Sequence, residues 1–411
     1  MKKNYLDIID PIHDFIRVYD HELEIIDNPI FQRLRRIKQL SGAHLTYPAA
    51  QHTRFEHSLG VMHIASQAGY VLKEKGILKS HEIKILRLAG LLHDIGHGPF
   101  SHLFEEIIQQ KKISHEDFGK AIILKSEIGD TLTKNGFDKK FITKVAFGES
   151  KYQYLNEIIS GTLSADMMDY LLRDGYFTGA EHAKIDHKRL TQSLDVHKKK
   201  LALERSALYS FESMMYSRYQ MFKAVYFHKT VRAAEVMMIE ALRLSDDEYG
   251  FTSFNINEFV KLTDEYILSL LLSSKSSKLR KARQLAEDYQ NRKLLKCVYE
   301  RIFTSKTLLE QIKTDEIRYS LSKKSKVDEN KIYVDSSVTP SIPFTPTKTE
   351  SKQIILITHE NGKAQAQELP ISKIPVVSAI SGFMNILRVY TPQKNRKKVE
   401  IAAKSILGDL K

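Results

Sequence analysis

Apolar and polar residues alternate between positions 5 and 20, around Pro11, and this period of two predicts a short strand or hairpin. Downstream the period lengthens to that of a helix. Val61, Ile64, Ala65, Ala68 and Leu72 fall at i, i+3, i+4, i+7 and i+11, and Gly76 follows as a C-cap. His57 therefore opens an amphipathic helix, and His63 within it reads as a structural histidine. An apolar run from Ile83 to Leu92 predicts a buried helix that closes on His93-Asp94, with Gly96, Gly98 and Pro99 ending it. Ser114-His115-Glu116-Asp117 fits a capping box, which places His115 in a first helical turn. From Tyr154 to Asp174 the spacing is helical again, with Asp166, Tyr170 and Asp174 on one face. Ser206 to about Leu244 reads as one long helix, with Arg218, Phe222, Tyr226 and Lys229 along one stripe.

The last third changes character. Residues 255–315 continue as lysine-rich helices, and the Lys, Ser, Thr and Pro between Ser322 and Lys352 mark a linker or exposed loop. Ile354 to Ile357, followed by Asn361-Gly362, predict a hairpin with a tight turn. A basic stretch, Lys394-Asn395-Arg396-Lys397-Lys398, precedes a terminal helix. No internal repeat is visible. The expected fold is mainly α, a helical bundle with short N-terminal strands and a small α+β C-terminal region. Its expected divisions are 1–320, a linker or loop at 321–352, and 353–411.

Composition narrows the class. The 411 residues are 42% hydrophobic, ordinary for a soluble globular protein with one large core or two smaller ones. Lys and Arg number 63 against 50 Asp and Glu, a net charge of +13, so the surface should attract nucleotides, nucleic acid or anionic lipid unless it is simply a solvated basic surface. The single cysteine, Cys297, excludes an intramolecular disulfide and fits a reducing cytoplasm, with Cys297 itself a small buried hydrophobe. Asp7 and Asp10 interrupt any N-terminal apolar run, so no signal peptide is visible, and no segment is long enough to span a bilayer.

The candidate chemistry sits where the Ile83–Leu92 helix breaks. A lone His-Asp dipeptide reads as a capped helix end, but His93-Asp94 has partners elsewhere in His57 and Asp166. Two imidazoles and two carboxylates suit a divalent transition ion better than calcium. His97 and His102 follow in the same loop and can act as acid, base or phosphate contact. His115 at a helix N-terminus reads on its own as a surface histidine of an ordinary capped helix, though the exposed N–H groups there also suit an anion, and the guanidinium of Arg218 is suited to phosphate.

Gln32-Arg33-Leu34-Arg35-Arg36-Ile37-Lys38-Gln39-Leu40, Arg54-Phe55-Glu56-His57-Ser58-Leu59-Gly60-Val61 and His93-Asp94-Ile95-Gly96-His97-Gly98-Pro99-Phe100-Ser101-His102 together resemble one branch of the HD phosphohydrolase superfamily. That branch is the deoxynucleoside triphosphate triphosphohydrolases. The resemblance runs from Asp10-Pro11-Ile12-His13 to about Lys229 and implies an HD domain within residues 1–320. It implies one divalent ion on His57, His93, Asp94 and Asp166, with Mn, Fe, Zn, Ni, Co and Mg not distinguished, and room for a second Mg carried by the triphosphate. The implied reaction cleaves between the 5′ oxygen and the α phosphorus. His102 would protonate the leaving oxygen, with Glu105 in the place of an orienting aspartate. Arg54, His97, His115, Tyr170 and Arg218 would hold the triphosphate. Gln39 and Asp174 would bind the sugar 3′-hydroxyl, and Leu40 and Tyr226 would crowd the 2′ position.

The sequence also departs from the pattern. Met167 stands where vertebrate members have a lysine after the metal aspartate, which removes one cation from the triphosphate site. Asp27, Gln32 and Arg35 match residues that read a nucleotide activator between subunits, whereas Leu6, Glu204 and Ser206 replace basic contacts to it. A homo-oligomer with weak or altered nucleotide activation is therefore expected. Two rival readings of the sequence remain. One is another HD hydrolase, acting on cyclic nucleotides, monophosphates or single-stranded nucleic acid. The other is a non-catalytic nucleic-acid binder that uses the basic C-terminal third.

Overall fold

The computed structural model describes residues 4–303, 313–337, 353–360, 363–380 and 385–408. The alternation at the N-terminus becomes an antiparallel hairpin, β1 (Tyr5–Asp10) and β2 (Asp14–Tyr19), in register from Tyr5 opposite Tyr19 to Asp10 opposite Asp14. Asp10 closes its turn, accepting the backbone N–H of Ile12 at 2.9 Å and of His13 at 3.0 Å. Helices follow in close succession: α1 (Asp20–Ile26), α2 (Pro29–Gln32), α3 (Arg54–Glu74), α4 (Ser80–Leu92), α5 (His102–Ile108), α6 (His115–Lys125), α7 (Glu127–Lys134), α8 (Lys139–Ala146), α9 (Gln153–Ile159), α10 (Ala165–Thr178) and α11 (His187–Gln192).

Local chemistry sets the starts that matter for the site. Thr53 caps α3, and the Glu56 carboxylate returns to the Thr53 N–H at 3.0 Å, a capping box that the apolar periodicity alone did not locate. Ser114 and Asp117 form the expected box on α6. The α3 helix packs against α4 and α10, and their buried faces, with those of the later helices, form one large apolar core.

Beyond α11 the chain holds strands that the periodicity did not predict. Strands β3 (Leu194–His197) and β4 (Lys200–Glu204) come first. The single helix expected from Ser206 to Leu244 is then corrected to α12 (Leu208–Met221), a π turn (Phe222–Tyr226) and α13 (Lys229–Tyr249). The N–H of Phe227 reaches back five residues to the carbonyl of Phe222 at 2.7 Å, and His228 caps the new helix through Thr230 N–H. After α14 (Ile256–Phe259), α15 (Asp264–Ser273) and α16 (Arg280–Gln290), the helical reading of 255–315 is corrected at β5 (Lys296–Phe303).

The stretch expected as a linker from 322 to 352 also carries structure in its first half. It holds the end of α17 (Thr314–Ser325) and all of β6 (Tyr333–Ser337), while 338–352 lie outside the described residues. Strands β7 (Gln353–Glu360) and β8 (Lys363–Pro370) pair antiparallel as the predicted hairpin; its turn residues Asn361 and Gly362 lie outside the described residues. α18 (Pro375–Ile380), β9 (Asn385–Thr391) and α19 (Arg396–Leu407) complete the chain's described elements. The fold is mainly α, with sheets in the order β3-β4-β7-β8 and β5-β9-β6. A second small core of Val298, Leu321, Val389, Val399 and Ala402 joins the latter sheet to α17 and α19. Among the described residues no helix is long and apolar enough to cross a membrane.

Candidate metal centre and its surroundings

Three helix ends converge at one point. His57 lies in the first turn of α3, His93 caps the C-terminus of α4 with Asp94 beside it, and Asp166 lies in the first turn of α10. One donor atom from each of His57, His93 and Asp166 falls within 4.8 Å of the others. His57 Nε2 is 3.1 Å from Asp166 Oδ1 and 3.6 Å from Asp94 Oδ2, and His93 Nε2 is 3.3 Å from Asp94 Oδ1. The second nitrogen of each imidazole is committed elsewhere: His57 Nδ1 donates to Asp169 Oδ2 at 2.8 Å, and His93 Nδ1 to the Gly90 carbonyl at 2.7 Å. Both Nε2 atoms are thereby turned inward, the arrangement by which outer groups fix metal-ligating histidines. His93 Nε2 is buried without a hydrogen bond among the described residues. The donor set of two imidazoles and two carboxylates fits a divalent ion.

The electrostatics agrees. Burial alone would raise the carboxyls of Asp94, Asp166 and Asp169, yet all three are held well down: Asp94 by Arg54, His93 and His97, Asp166 by His57 and His93, and Asp169 by Arg173, His13 and His57. Burial opposes charge on His57, but Asp166 and Asp169 outweigh it and push its pKa up to about 10. Positive charge is favoured between these carboxylates, and a divalent ion would supply it.

The loop after Asp94 is clamped from several sides. A Cβ on Gly96 would stand 2.0 Å from the His115 carbonyl and 2.3 Å from Gly119 N, so only glycine lets α6 approach this loop. Phe100 and Ser101 both have positive φ, 56° and 53°, and are held there by partners. Asp264 accepts the Phe100 N–H at 2.6 Å, Ser41 Oγ donates to the Phe100 carbonyl at 2.7 Å, and Arg54 Nε donates to Ser101 Oγ at 2.8 Å. The strained turn delivers His102 to the start of α5, where its side chain is 71% exposed.

Glu105 lies between two histidines, its carboxylate 2.7 Å from His115 Nδ1 and 3.4 Å from His102 Nδ1. The shorter contact is thus to His115 rather than to His102, the residue it was expected to orient. His97 stacks on His115 with ring centroids 4.0 Å apart, and its Nε2 lies 3.2 Å from Asp94 Oδ1. Burial, Arg54 and His115 hold the His97 pKa well down, so it is neutral; burial opposes charge on His115, but Glu105 raises it.

The remaining candidates fall into two groups. Asp174 accepts from Tyr226 Oη at 2.7 Å, the Tyr170 ring is 6.4 Å from that of Tyr226, and Arg218 Nη1 approaches Met167 Sδ at 3.9 Å. Gln39 and Leu40 are half-buried, and Gln39 Oε1 has no hydrogen-bond partner among the described residues. Arg54 is occupied with Asp94, 2.5 Å from Nη1 to Oδ2. Asp27 and Arg35 are exposed at the surface; Arg35 Nε donates to Gln32 Oε1 at 2.8 Å and its guanidinium covers the Phe55 ring at 3.5 Å.

Sequence reasoning missed the group that supports His57. Asp169 accepts from His57, from His13 Nε2 at 2.7 Å and from Arg173 Nε at 2.9 Å, while Arg173 Nη1 reaches Asp10 at 2.9 Å. Asp169 and Arg173 are fully buried. Their i, i+4 spacing as an opposite-charge pair on an otherwise apolar helix face was the available signal. Gly60 belongs to the same group, because a Cβ there would stand 1.8 Å from Asp169 Oδ1 and 2.6 Å from Arg173 Nη2.

Comparison with known proteins places this geometry. The model of the HD domain matches residues 54–173 and that of the HD associated region matches 185–410. An uncharacterised Bacillus subtilis protein, YwfO, is 36% identical over 280 residues, which cover 63% of this chain and 64% of YwfO. The deoxynucleoside triphosphate triphosphohydrolase SAMHD1 homolog of Dictyostelium discoideum is 32% identical over 333 residues, covering 76% of this chain and 62% of that protein. The chain spans less than two thirds of the length of these relatives. A crystal structure of a hypothetical protein from Aquifex aeolicus superposes with a TM-score of 0.78 at 30% identity, covering 97% of this chain and 100% of that one. This chain belongs to the HD-domain family, and a deoxynucleoside triphosphate triphosphohydrolase homolog is among its relatives.

Proposed function

We propose that the protein hydrolyses deoxynucleoside triphosphates to deoxynucleoside and inorganic triphosphate. The observation that carries this reading is the adjacency of His57, His93, Asp94 and Asp166 to the His97, His102, Glu105 and His115 cluster, a metal-ligand set beside imidazoles that suit polyphosphate. A divalent ion held by the first four would act as Lewis acid and lower the pKa of water. His102, exposed and hydrogen-bonded to Glu105, donates the proton to the 5′ oxygen as its bond to the α phosphorus breaks and the oxygen of water bonds to that phosphorus. His97, His115, Tyr170, Arg218 and Arg54 hold the triphosphate, and Arg54 exchanges part of its contact with Asp94 for phosphate. Gln39 and Asp174 take the 3′-hydroxyl, with Leu40 and Tyr226 beside the 2′ carbon.

Other HD chemistries share the four ligands; the number of phosphate-suited groups around them favours a triphosphate. The proposed working state is a homo-oligomer whose nucleotide activation through Asp27, Gln32 and Arg35 is weak, since Leu6, Glu204 and Ser206 offer no cation. Glu204 is moreover engaged with Lys75 at 2.9 Å. The test is product chromatography after incubation with Mn or Mg and all four deoxynucleoside triphosphates, with and without GTP, and with Asp94→Ala as the blank. Deoxynucleoside and triphosphate in the wild type, together with lost metal in the blank, are expected. Monophosphate and pyrophosphate, or undiminished metal in Asp94→Ala, would contradict the proposal.

A further inference from the structure

His52 precedes the N-cap of α3 and is 3% exposed. Its Nε2 lies 2.7 Å from Asp174 Oδ1, while Tyr226 donates to Asp174 Oδ2, so both carboxylate oxygens are already held. The ring lies flat on Phe177, one turn after Asp174 on α10, with centroids 4.7 Å apart and planes 16° from parallel. Its backbone is tied as well: the Gln39 N–H donates to the His52 carbonyl at 3.1 Å, beside an isolated bridge between Lys38 and Thr53. The imidazole is therefore fixed by a stacked ring, a carboxylate and a backbone pairing. Asp174, 2% exposed, is fixed in turn.

An ionised carboxylate only accepts, and it has about four lone-pair sites, of which His52 and Tyr226 use one each. The sites left can be filled only by a donor, such as a hydroxyl. Tyr226 spends its proton on Asp174, so its oxygen has only acceptor capacity left. Buried polar atoms without partners among the described residues mark the same neighbourhood, Gln39 Oε1 and His52 Nδ1. Such atoms are rare in folded proteins and are commonly explained by a ligand or a water.

Resting on the deoxynucleotide reading above, we propose that His52 is a positioning residue for sugar recognition. It holds the Asp174 carboxylate in the orientation that accepts the 3′-hydroxyl. The consequence is specific: loss of His52 damages discrimination by the sugar edge while leaving the metal ligands in place.

The experiment compares kcat/KM for a deoxynucleoside triphosphate and its 2′,3′-dideoxy counterpart in the wild type, His52→Leu, His52→Asn and His52→Gln, with metal content measured for each. A glutamine amide reaches Asp174 as a donor, whereas asparagine falls short and serves as a second loss variant should the leucine protein fail to fold. Removing a hydrogen bond to a charged group predicts that the preference for the 3′-hydroxyl falls about tenfold in His52→Leu and His52→Asn and recovers in His52→Gln, at unchanged metal content. Equal losses on both substrates, leaving the preference intact, would reduce His52 to a packing role and overturn the inference. No turnover of either nucleotide by the wild type would overturn the proposed activity, and this inference with it.

Discussion

The orientation of His57 depends on Asp169, a side chain that touches no candidate substrate position. Asp169 accepts from His57, His13 and Arg173 at 2.7–2.9 Å, fully buried. Removing one oxygen lets the imidazole turn, and outer partners of this kind contribute about 10–100-fold to metal affinity. Asp169→Asn should therefore weaken metal retention by that factor in a chelator competition while leaving far-ultraviolet dichroism unchanged; equal retention would show that His57 is held by packing alone. The candidate set His57, His93, Asp94 and Asp166 was legible in the sequence because His93-Asp94 ends an apolar run and His57 and Asp166 open helices, and the structure brings donor atoms of His57, His93 and Asp166 within 4.8 Å of one another. Asp169, Arg173 and His52 were not, since burial decides their meaning. An Asp-Arg pair at i, i+4 reads as an ordinary surface bridge until the packing of Gly60 against it is known.

Among the elements, the loop between α4 and α5 is the most constrained. Asp264, at the start of α15, accepts the N–H groups of Phe100 and Lys38 and so anchors this loop from a distant part of the chain. Burial raises its pKa to about 6. The unfolded chain releases this proton near pH ~4 and the folded protein keeps it to about 6, so the stabilisation is complete below the lower value and lost as pH rises through the higher. The interval corresponds to about 3 kcal/mol. Denaturant unfolding of Asp264→Asn should accordingly compare with wild type more favourably at pH ~7 than at pH ~4, by about 2–3 kcal/mol; a pH-independent difference would contradict it.

The helix α5 has its own brace. Arg232 on α13 binds Asp335 of β6 at 3.0 Å twice, Glu235 at 3.1 Å and Glu106 of α5 at 3.3 Å. Arg232→Leu leaves these acids without a counter-charge and should cost about 3–5 kcal/mol, with α5 amides exchanging faster in deuterium exchange. Unchanged α5 protection would show that the brace does not reach the loop. At this scale the sequence misread the π turn and β5. A five-residue hydrogen bond differs from the helical pattern by one residue, and β5 alternates too briefly among charges to be told from a helix without its partner β9.

For the molecule as a whole, the mainly α class was legible because long helices repeat their apolar spacing. The sheet order was not, since β4 pairs in parallel with β7 across about 150 residues of chain, Leu203 opposite Leu356. That pairing and the Asp335–Arg232 contact tie the C-terminal residues to β4 and α13. Chelation should abolish turnover and lower the melting temperature, because an ion bound only by the folded state adds to its stability. The most direct measurement of the central claim is hydrolysis of a deoxynucleoside triphosphate in heavy-oxygen water, with products weighed by mass spectrometry. Attack at the α phosphorus with release of the 5′ oxygen puts the label in inorganic triphosphate and none in the deoxynucleoside. Label in the deoxynucleoside, in a monophosphate or in pyrophosphate would contradict the account.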